Sequence, residues 1–440
     1  MNYINKELYI VHSVDTEGPL YESQKATFKR IEELCGIKIN KQSSKILKSI
    51  LEGHYFTGKL KNRISKIFNP HLINYNYNWS LIRKMLDSIS KPNFRKKILG
   101  SDNKGYVLTW HCVDHVNYKT NPRRRSVGYG KIFNYYKNFI KKKKLEDKIQ
   151  FHFHPMSIFK EANRNATLYF RNDNLYQILC RRIIDHDWFP VVNRAGFHVE
   201  RPDSHWFLEQ FIPFDLSNTN KGEGKLKNPA DAAKGWDWRR APRNWEIYNP
   251  DKDDYQKKGA CRRYIGRILS VLNRTESIDE KEVLKAFKRA NSGKKTLLAV
   301  TGHDFRNLET EINFFLDLIK KASNRYPQVK FYFTDAVTGF QKTLGLKISS
   351  KNKLKLKIER FNKKSFKIST KQGKVFGPQP FLALKLKNGN YIHDNLDFSL
   401  KKDEWYYSLS RDTVDIKDIK TIAVGAADKL GNYDVKKINI

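Results

Sequence analysis

Cysteine is scarce in this chain: four residues in 440, Cys35, Cys112, Cys180 and Cys261, scattered and with no Cys-x-x-Cys pair. That excludes a zinc ribbon, a thioredoxin-like motif and a disulfide-stapled scaffold, and it fits free thiols in a reducing cytoplasm. Long apolar runs are missing too, so no membrane-spanning helix is expected. The opening Met1-Asn2-Tyr3-Ile4-Asn5-Lys6-Glu7 has no basic-then-apolar leader, so no secretion signal is expected either. There is no internal repeat and no long low-complexity segment. Acidic residues are few beside basic ones, 46 Asp and Glu against 84 Lys and Arg, for a formal net charge of +38.

What is present bounds the answer from the other side. Hydrophobic content of 39% and aromatic content of 13% describe a globular chain, long enough for two or three domains. A surface this basic attracts anions: nucleic acid, acidic glycans, nucleotide-sugars or an anionic membrane face. The lysines are spread along the chain among many Asn and Ile, which is also how an AT-rich genome writes a solvated surface. With no recognised nucleic-acid motif and no aromatic–basic repeat, nucleic acid ranks below the other anions.

Strand-like and helix-like segments alternate over the first 340 or so residues. Strands are expected at Leu8–Val14, Gly105–Trp110, Ile149–Phe151, Trp188–Val192, Thr296–Val300 and Val329–Phe333. Helices are expected at Gly130–Lys144, Asn174–Asp185, Ile278–Ala290 and Glu309–Ser323. Residues 21–100 read as lysine-rich helices with a loop near Asn69-Pro70-His71, and 217–260 as a long polar loop. The alternation predicts an α/β fold of parallel strands with crossover helices, whose chemistry lies past the strand C-termini. From about Leu346 the pattern changes to short alternating runs, Leu354–Ile358, Phe381–Leu386 and Thr421–Val424, separated by turns such as Asn388-Gly389-Asn390. This predicts a small antiparallel β-domain, a sandwich, over 344–440, after a first domain over 1–343.

The residues with chemical potential sit at those strand ends. His152 and His154, in Phe151-His152-Phe153-His154-Pro155, are two apart, so a strand turns both imidazoles to one face. With a carboxylate from elsewhere they make the ligand set of an open metal site. Asp15 and Glu17, after the first strand and before a Gly18-Pro19 turn, offer a general base and a metal ligand, or else solvent-facing loop carboxylates. His111, Asp114 and His115 form a second group: a site wall, or further ligands if His111 and His115 share a helix face. His303-Asp304 reads as an imidazole held by a carboxylate, with a raised pKa suited to protonating a leaving group. Arg194 can orient a carboxylate or bind an anion. Trp236, Trp238, Arg239 and Arg240 are candidates for stacking on and binding a sugar, unless the tryptophans fill a core. Arg123-Arg124-Arg125 reads as a solvated or phosphate-contacting surface.

In this order, Val14-Asp15-Thr16-Glu17-Gly18, Phe151-His152-Phe153-His154-Pro155, Arg194-Ala195-Gly196 and Thr301-Gly302-His303 resemble the polysaccharide deacetylase family. More narrowly, the order is similar to divergent deacetylase-like proteins of bacterial surface-polysaccharide gene clusters. The resemblance spans residues 5–340. It implies a distorted (β/α) barrel of about seven strands and a divalent metal, usually zinc. It also implies hydrolysis of an N-acetyl group from an amino sugar in a glycan, and the missing leader points to a nucleotide-linked or lipid-linked sugar as the substrate. By position it makes Asp15 the base, His152 and His154 metal ligands, Arg194 the residue that positions the base, and His303 the general acid. Two departures stand out. Thr16 occupies the place of the family's second aspartate, with Glu17 one later, and the histidines are His-x-His rather than His-x-x-x-His. Glu17 replaces the missing ligand, or the site has lost its metal and the chain is an inactive glycan-binding or scaffold protein. A cytoplasmic location, peripheral at the inner membrane face, completes the expectation.

Overall fold

Leu8-Tyr9-Ile10-Val11 sets apolar side chains at successive positions, the pattern of a strand buried on both faces. It lies at the heart of β1 (Glu7–Thr16) in a computed structural model that describes residues 6–162, 168–170, 172–221, 238–273, 277–410 and 413–440. The parallel strands that join it are β2 (Leu108–Cys112), β3 (Lys148–Phe153), β4 (Val192–Ala195), β5 (Phe214–Asn218), β6 (Tyr264–Ser270), β7 (Thr296–His303) and β8 (Lys330–Thr334). The sheet order is β2-β3-β4-β5-β6-β7-β1-β8, and a direct β1–β2 pairing closes β1 to β7 into a seven-stranded parallel barrel with helices around it. Closure is partial along β1. Its first half, Glu7–Val11, pairs with β8, while His12–Thr16 pairs with Leu108–Cys112 of β2. The eighth strand thus wedges the barrel open at its base and leaves it closed at the C-terminal end, where the polar residues gather.

A buried ion pair ties two of these strands together. Arg95 meets Asp147 through two hydrogen bonds of 3.0 and 2.9 Å, and the same carboxylate accepts the Leu108 backbone N–H and the Trp110 indole N–H at 3.0 Å each. Every lone pair of Asp147 that matters is used, the condition under which a buried ion pair is tolerated.

Two strands escaped the sequence pattern. β5 and β6 carry Asp215, Ser217 and Arg267 as buried polar side chains, so neither shows a continuous apolar run. Arg263, just before β6, bonds to Asp215 at 3.0 Å, and Arg267 pairs with Glu282 at 2.6 Å, which is how these charges are accommodated. The strand expected at Trp188–Val192 instead runs Val192–Ala195, so Arg194 stands within a strand rather than beyond one. At Asn69-Pro70-His71 the structure has a short helix, Pro70–Ile73, capped by the Asn69 side chain accepting the His71 N–H. The helices Gln24–Cys35, Ser44–Leu51 and Gly58–Ile67 form a satellite with its own small core around Phe28, Ile31, Ile50, Ile64 and Phe68. Among the described residues, no helix is long and apolar enough to cross a membrane.

The C-terminal region comprises two four-stranded antiparallel sheets. One has the order β13 (Asp397–Phe398), β14 (Glu404–Ser408), β10 (Ser365–Gln372), β9 (Lys355–Arg360). The other is β12 (Tyr391–Asp394), β11 (Phe381–Leu386), β15 (Ile419–Ala427), β16 (Tyr433–Asn439). Leu356, Phe366, Ile368 and Trp405 of the first meet Leu382, Leu384, Ile422 and Val424 of the second in one core. The second sheet is covered on both faces, because Phe381, Ala383 and Ala423 join the main core under the helix Asp173–His186. Polar contacts lock this seam: the Tyr391 hydroxyl donates to Asp185 at 2.8 Å and Gln177 donates to the Tyr391 carbonyl at 2.6 Å.

Gly425 permits that close approach, since a Cβ there would sit 2.8 Å from the Phe189 ring and 2.9 Å from Ile183. Gly425→Val is therefore expected to lower stability by roughly 1–3 kcal/mol through overpacking. Urea unfolding followed by circular dichroism reads it, and an unchanged midpoint would contradict the packing described.

Candidate metal centre

The C-terminal rims of β1, β3, β4 and β7 carry the site, and strand register alone brings much of it together. Asp15 is the register partner of His303 on β7 and of His111 on β2, and His152 is that of Arg194 on β4. Glu17 lies one residue past the end of β1, and its position is fixed by Asp304. The Asp304 carboxylate accepts the Glu17 N–H at 2.9 Å, the Gly18 N–H at 2.8 Å and the Tyr136 hydroxyl at 2.9 Å. Gly18 has φ of 69°, the left-handed region in which glycine alone is unstrained.

Glu17, His152 and His154 form the group that can hold a metal ion, each offering one ligand atom, all within 4.8 Å of one another. The Nε2 atoms of the two histidines are 2.9 Å apart, and Glu17 Oε1 lies 3.9 Å from the first and 3.6 Å from the second. The donors suit the task. His152 Nδ1 lies 2.6 Å from the Arg194 carbonyl oxygen, which can only accept, so Nδ1 carries the proton and Nε2 presents its lone pair. Burial, which outweighs the pull of Glu17, holds His154 well below the usual imidazole range and so uncharged, as a ligand must be. Burial pushes the Glu17 carboxyl up, but Arg125 and then His154 more than reverse this and leave it ionised. Arg125 holds the other carboxylate oxygen, Oε2, at 2.6 Å and thereby aims Oε1 at the histidines.

Asp15 stands apart from this trio. Its Oδ1 is 3.2 Å from Arg194 Nε and 4.0 Å from His152 Nδ1, the ring atom that faces away from the metal position. Burial raises its pKa, yet Arg194, His152 and His303 together bring it down to about 2. The geometry therefore divides the two acids: Glu17 belongs to the group that can hold a metal ion, and Asp15 does not.

His303 and Asp304 do not form the pair that their adjacency implies. Asp304 is committed to the Glu17–Gly18 backbone and to Tyr136, and burial raises its pKa to about 7. The helix Leu308–Arg325 that follows is capped by Asn307. His303 instead faces the acids, with Nε2 at 3.7 Å from Asp15 Oδ2 and 4.0 Å from Glu17 Oε1. Its pKa is lowered to about 4, by burial first and by Arg306 second, rather than raised, so it rests neutral.

The second histidine group is a wall. His111 lies within β2 and not on a helix, its Nδ1–H donating to the Phe151 carbonyl and its Nε2 accepting from Ser13, both at 3.1 Å. His115 Nε2 donates to the Glu17 carbonyl at 3.1 Å. Asp114 accepts the Gly130 N–H at 2.8 Å and pairs with Arg182 at 2.9 Å. None of the three has a free ligand atom turned to the trio.

The proposed sugar platform is not formed as expected. Trp238 is 1% exposed, its indole donating to the His198 carbonyl at 2.9 Å, so it supports the loop after β4 and offers no ring face. Arg239 and Arg240 are exposed, and Arg240 pairs with Asp254 at 2.6 Å. Trp236 lies outside the described residues.

Two residues of the site were not singled out from sequence. Arg125 belongs to the basic run read as surface. His198 follows Gly196-Phe197 in a turn where Phe197 and His198 both have positive φ, 54° and 58°, the kind of strain that collects at functional sites. Only the Arg-Ala-Gly-x-His spacing could have pointed to it. Gly196 itself is required: a Cβ there would meet His154 Cδ2 and the Phe153 carbonyl oxygen at 2.4 Å each.

Gly196→Ala is thus expected to displace His154 and to weaken metal affinity by about 10–100-fold. Competition with a chromophoric chelator reads this, and unchanged affinity would contradict the geometry. A second expectation concerns pH. Burial lowers His111 and His115 to about 3 and His303 to about 4, below the ~6.5 of an unfolded chain. The stability they allow is complete above that value and is lost as pH falls towards 4, because the unfolded chain takes up protons that the fold refuses. Each contributes up to about 1.4 kcal/mol per pH unit. Melting temperatures of chelator-treated protein should fall from pH ~7 to ~5, the imidazole loss being offset in part by Asp304 and Glu311, which burial raises to about 7 and 8, and a rise over that range would refute the neutral buried imidazoles.

Comparison of the chain with protein-family models, with curated proteins and with solved structures finds no match.

Proposed function

We propose that the chain is a metal-dependent hydrolase that removes an N-acetyl group from an amino sugar during surface-polysaccharide biosynthesis, working in the cytoplasm on a nucleotide-linked or lipid-linked sugar. The observation that carries the reading is the convergence of Glu17 Oε1 with the Nε2 atoms of His152 and His154, beside an ionised Asp15 and a neutral His303. The order of motifs shared with polysaccharide deacetylases supports the choice of reaction. Three protein ligands of the N and O type suit zinc with a coordination position left open.

When bound, the ion supplies electrophilic activation of the amide carbonyl and of the attacking water. The remaining work falls to side chains. Arg194, with no exposed surface, keeps Asp15 ionised and fixes its orientation. Asp15 accepts the proton of the attacking water. His303 starts neutral, takes that proton over from Asp15 at Nε2, the atom nearest it, and gives it to the leaving amine as the C–N bond breaks, which returns Asp15 to its ionised form. Acetate and the free amino sugar are the products, so atoms and protons balance with water as the only co-substrate.

The decisive experiment couples metal content with turnover. Wild-type protein purified without chelator should hold about one transition ion per chain, zinc by mass spectrometry, and His152→Ala/His154→Ala should hold none. Acetate release from N-acetylated, nucleotide-linked sugars should accompany the metal. Asp15→Asn should keep the metal and lower the rate by about 10²–10⁴. A loss under about tenfold would remove Asp15 from the base role, and a metal-free wild type that resists reconstitution would overturn the hydrolase reading.

A further inference from the structure

The turn that follows the metal histidines breaks the rule for turns. In Ser157-Ile158-Phe159-Lys160 the Lys160 N–H donates to the Ser157 carbonyl at 2.9 Å, placing Ile158 and Phe159 at the two central positions. Such positions favour Gly, Pro, Asn and Asp. Here they carry large apolar side chains, 90% and 59% exposed. Leu168 and Phe170, further along the same connection, are 44% and 45% exposed.

This tip begins four residues after His154 and is tied by backbone hydrogen bonds to the segment that precedes Arg125. The Lys119 N–H donates to the Lys160 carbonyl at 2.7 Å, and the Ala162 N–H to the Thr120 carbonyl at 3.1 Å. The segment that anchors it is the one whose Arg125 holds Glu17. Pro155 and Ser157 are buried beneath it. A local choice that opposes turn propensity, leaves apolar surface in water and is braced by backbone hydrogen bonds is the mark of a surface kept for a partner.

Charge selects the partner. Lys119 and Lys160 are exposed at the tip and its anchor, Glu161 is the adjoining acid, and the whole chain carries +38. Apolar side chains flanked by cations match the interface of an anionic bilayer, with acyl chains below the tip and headgroup phosphates beside it. We propose that this tip docks on an anionic lipid membrane, with Ile158 and Phe159 entering the interfacial layer and Lys119 and Lys160 meeting the headgroups. Because the tip begins four residues after His154, docking would bring the metal centre close to the membrane surface, where a lipid-linked substrate is carried; that consequence rests on the hydrolase reading, and the docking does not.

Sedimentation of the full chain with large vesicles tests it without any turnover, so its failure is separate from failure of the hydrolase reading. Wild type should bind vesicles of phosphatidylcholine with about 30% phosphatidylglycerol, and bind pure phosphatidylcholine at least about tenfold more weakly. Ile158→Glu/Phe159→Glu should reduce binding to the anionic vesicles at least about tenfold, and Ile158→Ser alone by several-fold, at an unchanged melting temperature. Leu400→Glu, at a fully exposed apolar residue in the turn between β13 and β14, should bind like wild type. Absence of wild-type binding, equal binding to neutral vesicles, full binding by the double variant, or an equal loss in Leu400→Glu would each overturn the proposal.

Discussion

The Asp304 carboxylate is the constraint on which the site depends. Placed at the end of β7 with no exposed surface, it takes two consecutive backbone N–H groups, of Glu17 and Gly18, and the Tyr136 hydroxyl. Those N–H groups belong to a loop that has just left β1 and has no strand partner for them. Without an acceptor they would be buried donors at a cost of about 1–3 kcal/mol each. With it, the loop is pinned against the neighbouring strand and Glu17 is delivered over β3, where His152 and His154 arrive.

Around that clamp the charges alternate. Arg125 lies on one oxygen of Glu17 and Arg194 on one oxygen of Asp15, so each buried acid keeps its charge while its other oxygen stays directed at the histidines. The imidazoles pay in the opposite sense. His111, His115, His154 and His303 all lose affinity for protons because they are buried, and the neutral form they adopt is the one that can bind a metal ion or accept a proton. Removal of water thus sets the neutral imidazoles, while Arg125 and Arg194 act against it to keep the two acids charged. The same removal is tolerated deeper in the barrel only because Arg263 and Asp215, and Arg267 and Glu282, meet as partners.

The C-terminal sheets add a different kind of dependence. The sheet β12-β11-β15-β16 buries one face in its own sandwich and the other under the helix Asp173–His186, a helix that follows β3 and precedes β4. The two strands that supply His152 and Arg194 are therefore braced from outside the barrel as well as from within. Phe381-Leu382-Ala383-Leu384 reads as an unbroken apolar run because both of its faces are covered.

Periodicity alone determined the alternation of strands and helices, the change to antiparallel strands after Leu346, and the placing of Asp15, His152 and His303 near strand C-termini. These are local properties, set by which side chains repeat at which spacing, and they survive without knowledge of neighbours. β5 and β6 were illegible for the same reason: their inward positions are polar, and only the opposing Arg263 and Glu282 make Asp215 and Arg267 acceptable there. Tertiary structure alone decided the division of labour. Adjacency in sequence pairs His303 with Asp304, but the fold turns them apart, one to Asp15 and the other to the Glu17 loop. Trp238 and Arg125 exchanged their expected roles, the tryptophan going to the core and the arginine to the site. Which group a side chain meets across a barrel depends on strand register and on loops closing over long separations in the chain, and neither is written in the spacing of nearby residues.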